Sequence, residues 1–150
     1  MLKRIFFVKN WLTVSVLFMF LLSPIAKGES IAVIVNPKSS LAEVDVSLKT
    51  LQDIFLGKVT EIKGQALQPV NQEQQRPIAI LFNEAVLKKN ENQVRAYWSK
   101  MVFSGASSPP PSLGDDQSVK IHVAKNKDAI SYVQKSQVDG TVKVLMEVNP

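Results

Sequence analysis

The feature that most constrains this chain is a short apolar segment near its start, preceded by basic residues. Residues 11–22 are apolar apart from two hydroxyl side chains, and three basic residues but no acidic residue precede them. A membrane-spanning helix needs about 20 apolar residues, so this shorter run is typical of a cleavable export signal. Small residues follow at Ala26 and Gly28. We therefore expect a signal peptide at residues 1–28, cleaved near Gly28, with Ala26 as the alternative site.

Removal of this segment changes the net charge. The whole chain has a formal net charge of +5, but residues 1–28 hold four of its 18 basic residues and none of its 13 acidic residues. Residues 29–150 are therefore close to neutral and lack the basic surface that nucleic-acid binding requires, so we expect no nucleic-acid partner. Their length suits one domain with one hydrophobic core and is too short for two.

The chain contains no cysteine and a single histidine. Disulfides, thiol catalysis and a lipid-modified cysteine are therefore excluded. We expect no stable membrane anchor and a free periplasmic protein. One histidine without cysteine also leaves too few ligands for a zinc site, and we expect neither a metal nor a cofactor.

Four segments carry the pattern of β-strands. The β-branched run at residues 31–35 ends at a turn signal, which predicts a strand buried on both faces. Residues 129–133 predict a second strand, and alternating apolar residues in 142–148 indicate a final one. The segment 67–70 contains a proline, which indicates a strand end or an edge strand.

Four other segments carry the pattern of helices. They are expected from Ser47 to Gly57, from Pro77 to Leu87, from about Asn92 to Ser104, and from Asp116 to about Val123. The third presents Val94, Tyr97, Trp98, Met101 and Val102 on one face, which is typical of a core-facing stripe. Residues 71–75 and the proline-rich residues 107–112 are expected as loops. Strands interleaved with helices predict an α/β domain.

The sequence offers no set of catalytic side chains. His122 lies between apolar residues of a predicted helix, and we interpret it as a partly buried structural histidine rather than a general base. The pair Asp115-Asp116 at a helix start is interpreted as a cap and dipole complement, with a paired acid as the alternative. Neither a nucleophile motif nor a glycine-rich phosphate loop is present. We therefore expect a protein that is not an enzyme.

One candidate anion-binding feature remains, at the predicted helix that begins with Pro77. Helix N–H groups beside a guanidinium suit an oxyanion. The candidate ligand-binding residues are Gln72, Gln75, Arg76 and Ile78. The alternative is that Arg76 simply faces water.

Several motifs occur in an order that resembles a known family. The strand ending at Asn36-Pro37 is followed by I-F-L-G-K-V-T at residues 54–60, and then by Pro69-Val70, Tyr97-Trp98 and I-S-Y-V at residues 130–133. This order resembles the periplasmic phosphate-binding proteins of ABC transporters (PstS-like), closest to their short single-domain members, over about residues 31–146. The resemblance implies a single lobe of the type II periplasmic binding protein fold, with a mixed sheet flanked by helices.

The phosphate-binding residues of that family do not match this chain. In two-lobed relatives, an arginine and a Ser-Gly-Thr turn at a helix start hold phosphate. The arginine position falls on Gln72 and the turn on Arg76-Pro77-Ile78, so none of the four residues matches, and Pro77 also lacks an N–H donor. The family's phosphate site is therefore not carried over to this chain.

Two function hypotheses follow. The first is an exported, non-enzymatic binding module with weak affinity for phosphate or another oxyanion. The second is a periplasmic accessory or protein-interaction module that has lost ligand binding. The resemblance implies that one lobe is missing, which leaves an open face. That face could bind an anion, pair with a second copy as a homodimer, or dock on another protein.

Overall fold

The computed structural model describes residues 29–150, and the expected signal peptide lies outside the described residues. In chain order the elements are β1 (Ile31–Val35), α1 (Leu48–Phe55), β2 (Glu61–Ile62), β3 (Gln65–Ala66), β4 (Gln68–Pro69), β5 (Asn71–Gln72), α2 (Pro77–Phe82), α3 (Glu91–Phe103), β6 (Ser112–Leu113), α4 (Asp116–Lys125), β7 (Ala129–Gln134) and β8 (Lys143–Val148). A π-helical turn, Asn83–Leu87, extends α2. None of the helices within residues 29–150 is long and apolar enough to cross a membrane.

The main sheet has four strands in the order β4-β7-β1-β8. β1 lies between β7 and β8 and is antiparallel to both, while β4 is parallel to β7. All five residues of β1 are buried, as its β-branched composition predicts. The fold is therefore an α/β domain with a mixed sheet flanked by helices, in agreement with the expectation.

Successive side chains of β1 point to opposite faces of the sheet and build two cores. Ile31, Val33 and Val35 join the larger core, to which α1, α2 and α3 contribute. Ala32 and Ile34 join the smaller core, which α4 covers with Val119 and Val123. One central strand therefore holds both helix layers together.

A bulge interrupts the alternation predicted for β8. Val33 lies opposite Met146, but its neighbour Ile34 lies opposite Val144, so Leu145 is an extra residue. Val144 therefore packs on the smaller core, whereas Leu145 and Met146 pack on the larger one. The even spacing of apolar residues in this strand does not keep them on a single face.

Side-chain caps fix where the helices begin. The Ser47 hydroxyl accepts from the N–H of Thr50 at 3.0 Å, as expected for α1. α3 begins at Glu91, slightly before the predicted start, because Asn90 and Gln93 form a reciprocal capping box. The capping residue of α4 is Asp115.

Two expected loops are partly strands. Asn71–Gln72 pairs in parallel with Ser112–Leu113, so the ends of both predicted loops were wrong. A two-residue ladder leaves no periodicity in the sequence, since alternation needs a longer run to be recognised. This ladder fixes the proline-rich segment, residues 107–112, next to the start of α2.

Candidate ligand-binding site

The predicted site lies at the end of the main sheet where α2 and α4 begin. Arg76 is the residue before α2, and Asp115 precedes α4. α2 follows β5 and α4 follows β6. The short ladder formed by these two strands lies beside the carboxyl end of β7. Polar side chains from three different parts of the sequence therefore meet here.

Gln72 is the centre of this polar cluster and is completely buried. Its Nε2 donates to Asp116 Oδ1 at 2.5 Å and to the carbonyl oxygen of Tyr132 at 3.0 Å. Its backbone N–H faces the Tyr132 hydroxyl at 3.4 Å. The side-chain amide thus links β5 to β7 and α4. Its N–H donors stabilise the fold and are not available to a ligand.

Arg76 is half-buried and lies against this cluster. Its Nε donates to Gln72 Oε1 at 3.1 Å. Hydrogen bonds from the side chain and the N–H of Ser118 lower the pKa of Asp115, and the nearby charge of Arg76 lowers it further. The cationic charge of Arg76 is therefore partly balanced by Asp115, the residue that caps α4.

The other two predicted residues do not join Gln72 and Arg76. Gln75 is exposed to solvent in the turn before α2. Ile78 is buried in the larger core and presents no polar side-chain group. The sequence pattern could not separate core-facing from solvent-facing positions around the start of α2.

The first turn of α2 offers few donors to an anion. Pro77 has no N–H, and the N–H groups of Ala79 and Ile80 are bonded to the carbonyl oxygen of Arg76 at 2.9 and 3.1 Å. At most one N–H group of this turn, that of Ile78, is left for a ligand. Three consecutive free donors, which a helix-start anion site normally uses, are not available here.

An apolar groove at the end of α3 was not anticipated. The predicted core stripe of this helix is buried at Val94 and Trp98, but Val102 is 54% exposed. The adjacent Phe103 is 96% exposed. These two residues, with Trp98, Pro109, Arg95 and Gln74, line a groove of about 500 Å³.

The groove adjoins the predicted site. Gln74 lies in the turn before α2, and Pro109 belongs to the proline-rich segment that β6 fixes beside that turn. The sequence signal for this groove was the apolar pair Val102-Phe103 directly before Ser104-Gly105. The apolar residues of the helix there extend beyond the last turn that the core covers. The apolar groove and the polar cluster thus share one side of the domain.

His122, the single histidine of the chain, lies on α4. His122 is half-buried, as interpreted from the sequence, and lies at the edge of a pocket of about 350 Å³ beneath the proline-rich segment. Within the described part of the chain, no three histidine or acidic side chains come together as metal ligands.

Comparison with known proteins gives structural similarity only. No protein-family model matches the sequence, and no curated protein matches it. Three solved structures are similar to this chain over 77% of its length. An ABC-type phosphate transport receptor from Vibrio cholerae has a TM-score of 0.62 and 19% identity. A putative phosphate ABC transporter substrate-binding protein from Clostridium perfringens, with bound phosphate, has a TM-score of 0.62 and 23% identity.

PstS from Borrelia burgdorferi is similar with a TM-score of 0.57 and 10% identity. The matches cover 45%, 44% and 46% of the three solved chains, so this chain spans less than half of their length. The chain therefore has the fold of one part of the substrate-binding proteins of phosphate ABC transporters.

Proposed function

We propose that residues 29–150 form a non-enzymatic binding module, exported to the periplasm by residues 1–28, that binds another protein through the groove at the end of α3. The observation that carries this proposal is Phe103, which is 96% exposed beside the half-exposed Val102. An apolar patch of this kind next to a groove is typical of an interaction site.

The fold supports a binding role. The solved structures that resemble this chain are phosphate receptors and substrate-binding proteins, and the chain spans less than half of each. The polar cluster and the groove lie next to each other on residues 29–150, since Gln74, Trp98 and Pro109 line both regions. A partner protein bound at the groove would bury the exposed side chains of Val102 and Phe103.

The start of α2 supports protein binding better than phosphate binding. Pro77 removes a backbone donor, Ile78 is buried among apolar residues, and the Nε of Arg76 is bonded to Gln72. A phosphate ion needs several donors that face it together, because it exchanges strong hydrogen bonds with water for those with the protein.

Site-specific photo-crosslinking in intact cells tests this proposal. We expect a photoreactive amino acid at position 103 to give one discrete crosslinked product. Ile121 on α4 is the matched control, because it is a large apolar residue that is 45% exposed. A product absent at position 103, or equally strong at position 121, would overturn the proposal.

A second candidate function is weak oxyanion binding at Arg76. This candidate rests on the Arg76 guanidinium. Within residues 29–150, only its Nε has a hydrogen-bond partner, which leaves the two terminal nitrogens as donors to an anion. Calorimetric titration of the purified protein with phosphate, at low and at physiological salt, should then give millimolar binding that is lost in Arg76→Gln. The absence of heat at millimolar phosphate would remove this candidate.

A further inference from the structure

A second polar depression lies at the opposite end of the main sheet from Arg76. β1 ends at Val35, which pairs with Ile130 near the start of β7, and α4 ends beside it at Lys125. The polar cluster described above lies at the other end of β7, where the N–H of Gln134 faces Asp116. The two regions are thus separated by the length of the sheet.

Three lysines surround this depression, which has a volume of about 340 Å³. They are Lys38, which follows β1, and Lys125 and Lys127 around the end of α4, and we call this feature the lysine pocket. All three are exposed, and none forms an ion pair with another residue in the range 29–150. No acidic residue lines the pocket; Asn36 and Thr141 supply its other polar groups.

The acidic residues nearest to the lysine pocket already have partners. Asp139 pairs with Lys120 at 2.6 Å and accepts from the N–H of Thr141 at 2.9 Å. Asp128 accepts from Gln65 Nε2 at 3.2 Å. The Asp139 carboxylate is therefore held by a lysine that does not line the pocket.

Carbonyl groups in the last turn of α4 receive a side-chain donor from the residue that follows β1. Asn36 is buried, and its Nδ2 donates to the carbonyl oxygens of Val123 and Ala124 at 3.1 and 2.8 Å. Its Oδ1 accepts from the N–H of Lys38 at 2.8 Å. One buried amide therefore caps the helix and fixes the backbone that carries the first lysine.

We propose that the lysine pocket binds a phosphoryl group, or a comparable group with several anionic oxygens. The three lysines line one depression that has no acidic residue in its lining, and each ammonium group has three N–H donors to share among such oxygens. The volume is at the lower end of the range of about 300–1,000 Å³ for small-molecule sites. The group could belong to a free phosphate or to a phospholipid headgroup. This proposal is independent of the groove at Phe103.

Two probes distinguish these sources, both used with the purified protein. The first is inorganic phosphate at constant ionic strength, with backbone amide chemical shifts recorded by NMR. The second is a set of vesicles with or without phosphatidylglycerol, with co-sedimentation as the readout. The test variant is Lys38→Gln with Lys125→Gln and Lys127→Gln. The matched control, Lys88→Gln with Lys89→Gln and Lys100→Gln, changes the net charge equally.

We expect one probe to bind the wild type, with amide shifts around Asn36 and Lys125 for phosphate or sedimentation for anionic vesicles. Binding should weaken at least tenfold in the test variant and stay unchanged in the control. Replacement of the same three lysines by arginine should retain binding, because the charge is kept. The proposal is overturned if neither probe binds, or if the two glutamine variants lose binding equally.

Discussion

The phenol ring of Tyr132 on β7 lies flat against the ring of Phe82 at the end of α2, with centroids 3.8 Å apart and planes inclined by 6°. Phe55 of α1 meets Phe82 edge-on at a centroid distance of 4.8 Å. Burial strongly raises the pKa of Tyr132, so its hydroxyl stays neutral beside Gln72. This aromatic cluster joins two helices to the sheet directly beneath the candidate site.

Replacement of Phe82 by alanine should destabilise the protein strongly. Phe82 is fully buried, and its loss removes both ring contacts and leaves a cavity under α2. We expect a decrease of about 3–5 kcal/mol in the free energy of unfolding, measured by urea denaturation.

Phe103→Ala is the matched control, since it removes the same atoms from a side chain that is 96% exposed. We expect this variant to change stability by less than about 0.5 kcal/mol. Equal losses in the two variants would contradict the burial of Phe82 in the core and the exposure of Phe103.

Gln72→Leu should destabilise the protein through unpaired polar groups rather than through lost volume. The substitution removes the donor to the buried Asp116 carboxyl and to the Tyr132 carbonyl oxygen. A buried polar group left without its partner costs about 1–3 kcal/mol, so we expect a loss of that size in urea denaturation. Gln75→Leu, at an exposed position, should have almost no effect, and a similar loss there would argue against the buried cluster.

Much of the fold could be predicted because its main elements carry strong local signals. The β-branched run of β1, the capping serine of α1 and the proline at the first position of α2 each specify an element within a few residues. The two-residue ladder between Asn71–Gln72 and Ser112–Leu113 could not be predicted. It depends on the meeting of two segments that are distant in sequence.

The sequence indicated a candidate site at Arg76 but not the contacts that its residues make. Arg76 directly precedes the proline that begins a predicted helix, and this pattern indicated a candidate anion site. The buried amide of Gln72 could not be inferred, because its partners Asp116 and Tyr132 approach it only through the topology of the sheet. The exposure of Phe103 had only a weak sequence signal, its place next to Val102 at the end of the helix, since a helical stripe does not reveal how much of it the core covers.

Gly57→Ala should cost more than the same change at Gly105. Both glycines have left-handed backbone angles, with φ of +69° and +70°, so alanine is strained by roughly 1–2 kcal/mol at either position. At Gly57 the new Cβ would also lie 2.9 Å from Ser107 Oγ and 3.2 Å from Trp98 Cη2, whereas at Gly105 it meets nothing within 4 Å.

We therefore expect Gly57→Ala to be the less stable variant by about 1 kcal/mol, because of this crowding. Thermal or urea unfolding of both variants measures the difference. Addition of Ser107→Gly to Gly57→Ala should recover part of it. Equal stability of the two single variants would mean that Ser107 and Trp98 adjust without cost.

The ion pair between Lys120 and Asp139 should make stability depend on acid pH. Lys120 has a nearly buried side chain, and its Nζ lies 2.6 Å from the Asp139 carboxylate. The hydrogen bond from Lys120, followed by those from the side chain and N–H of Thr141, lowers the pKa of Asp139 far below its ordinary value of 3.8. The folded protein therefore keeps this carboxylate ionised at a pH where the unfolded chain protonates it.

A lowered pKa in the folded state adds stability above the unfolded value, and this stability is lost as the pH falls below about 4. Asp139→Asn should be less stable than the wild type at pH 7 and should take up as much as one proton less on unfolding in the acid range. Urea denaturation from pH 7 to pH 3 at low salt measures both effects. Asp45→Asn, an exposed residue, should keep the wild-type pH dependence. An unchanged acid slope in Asp139→Asn would show that the ion pair does not persist in solution.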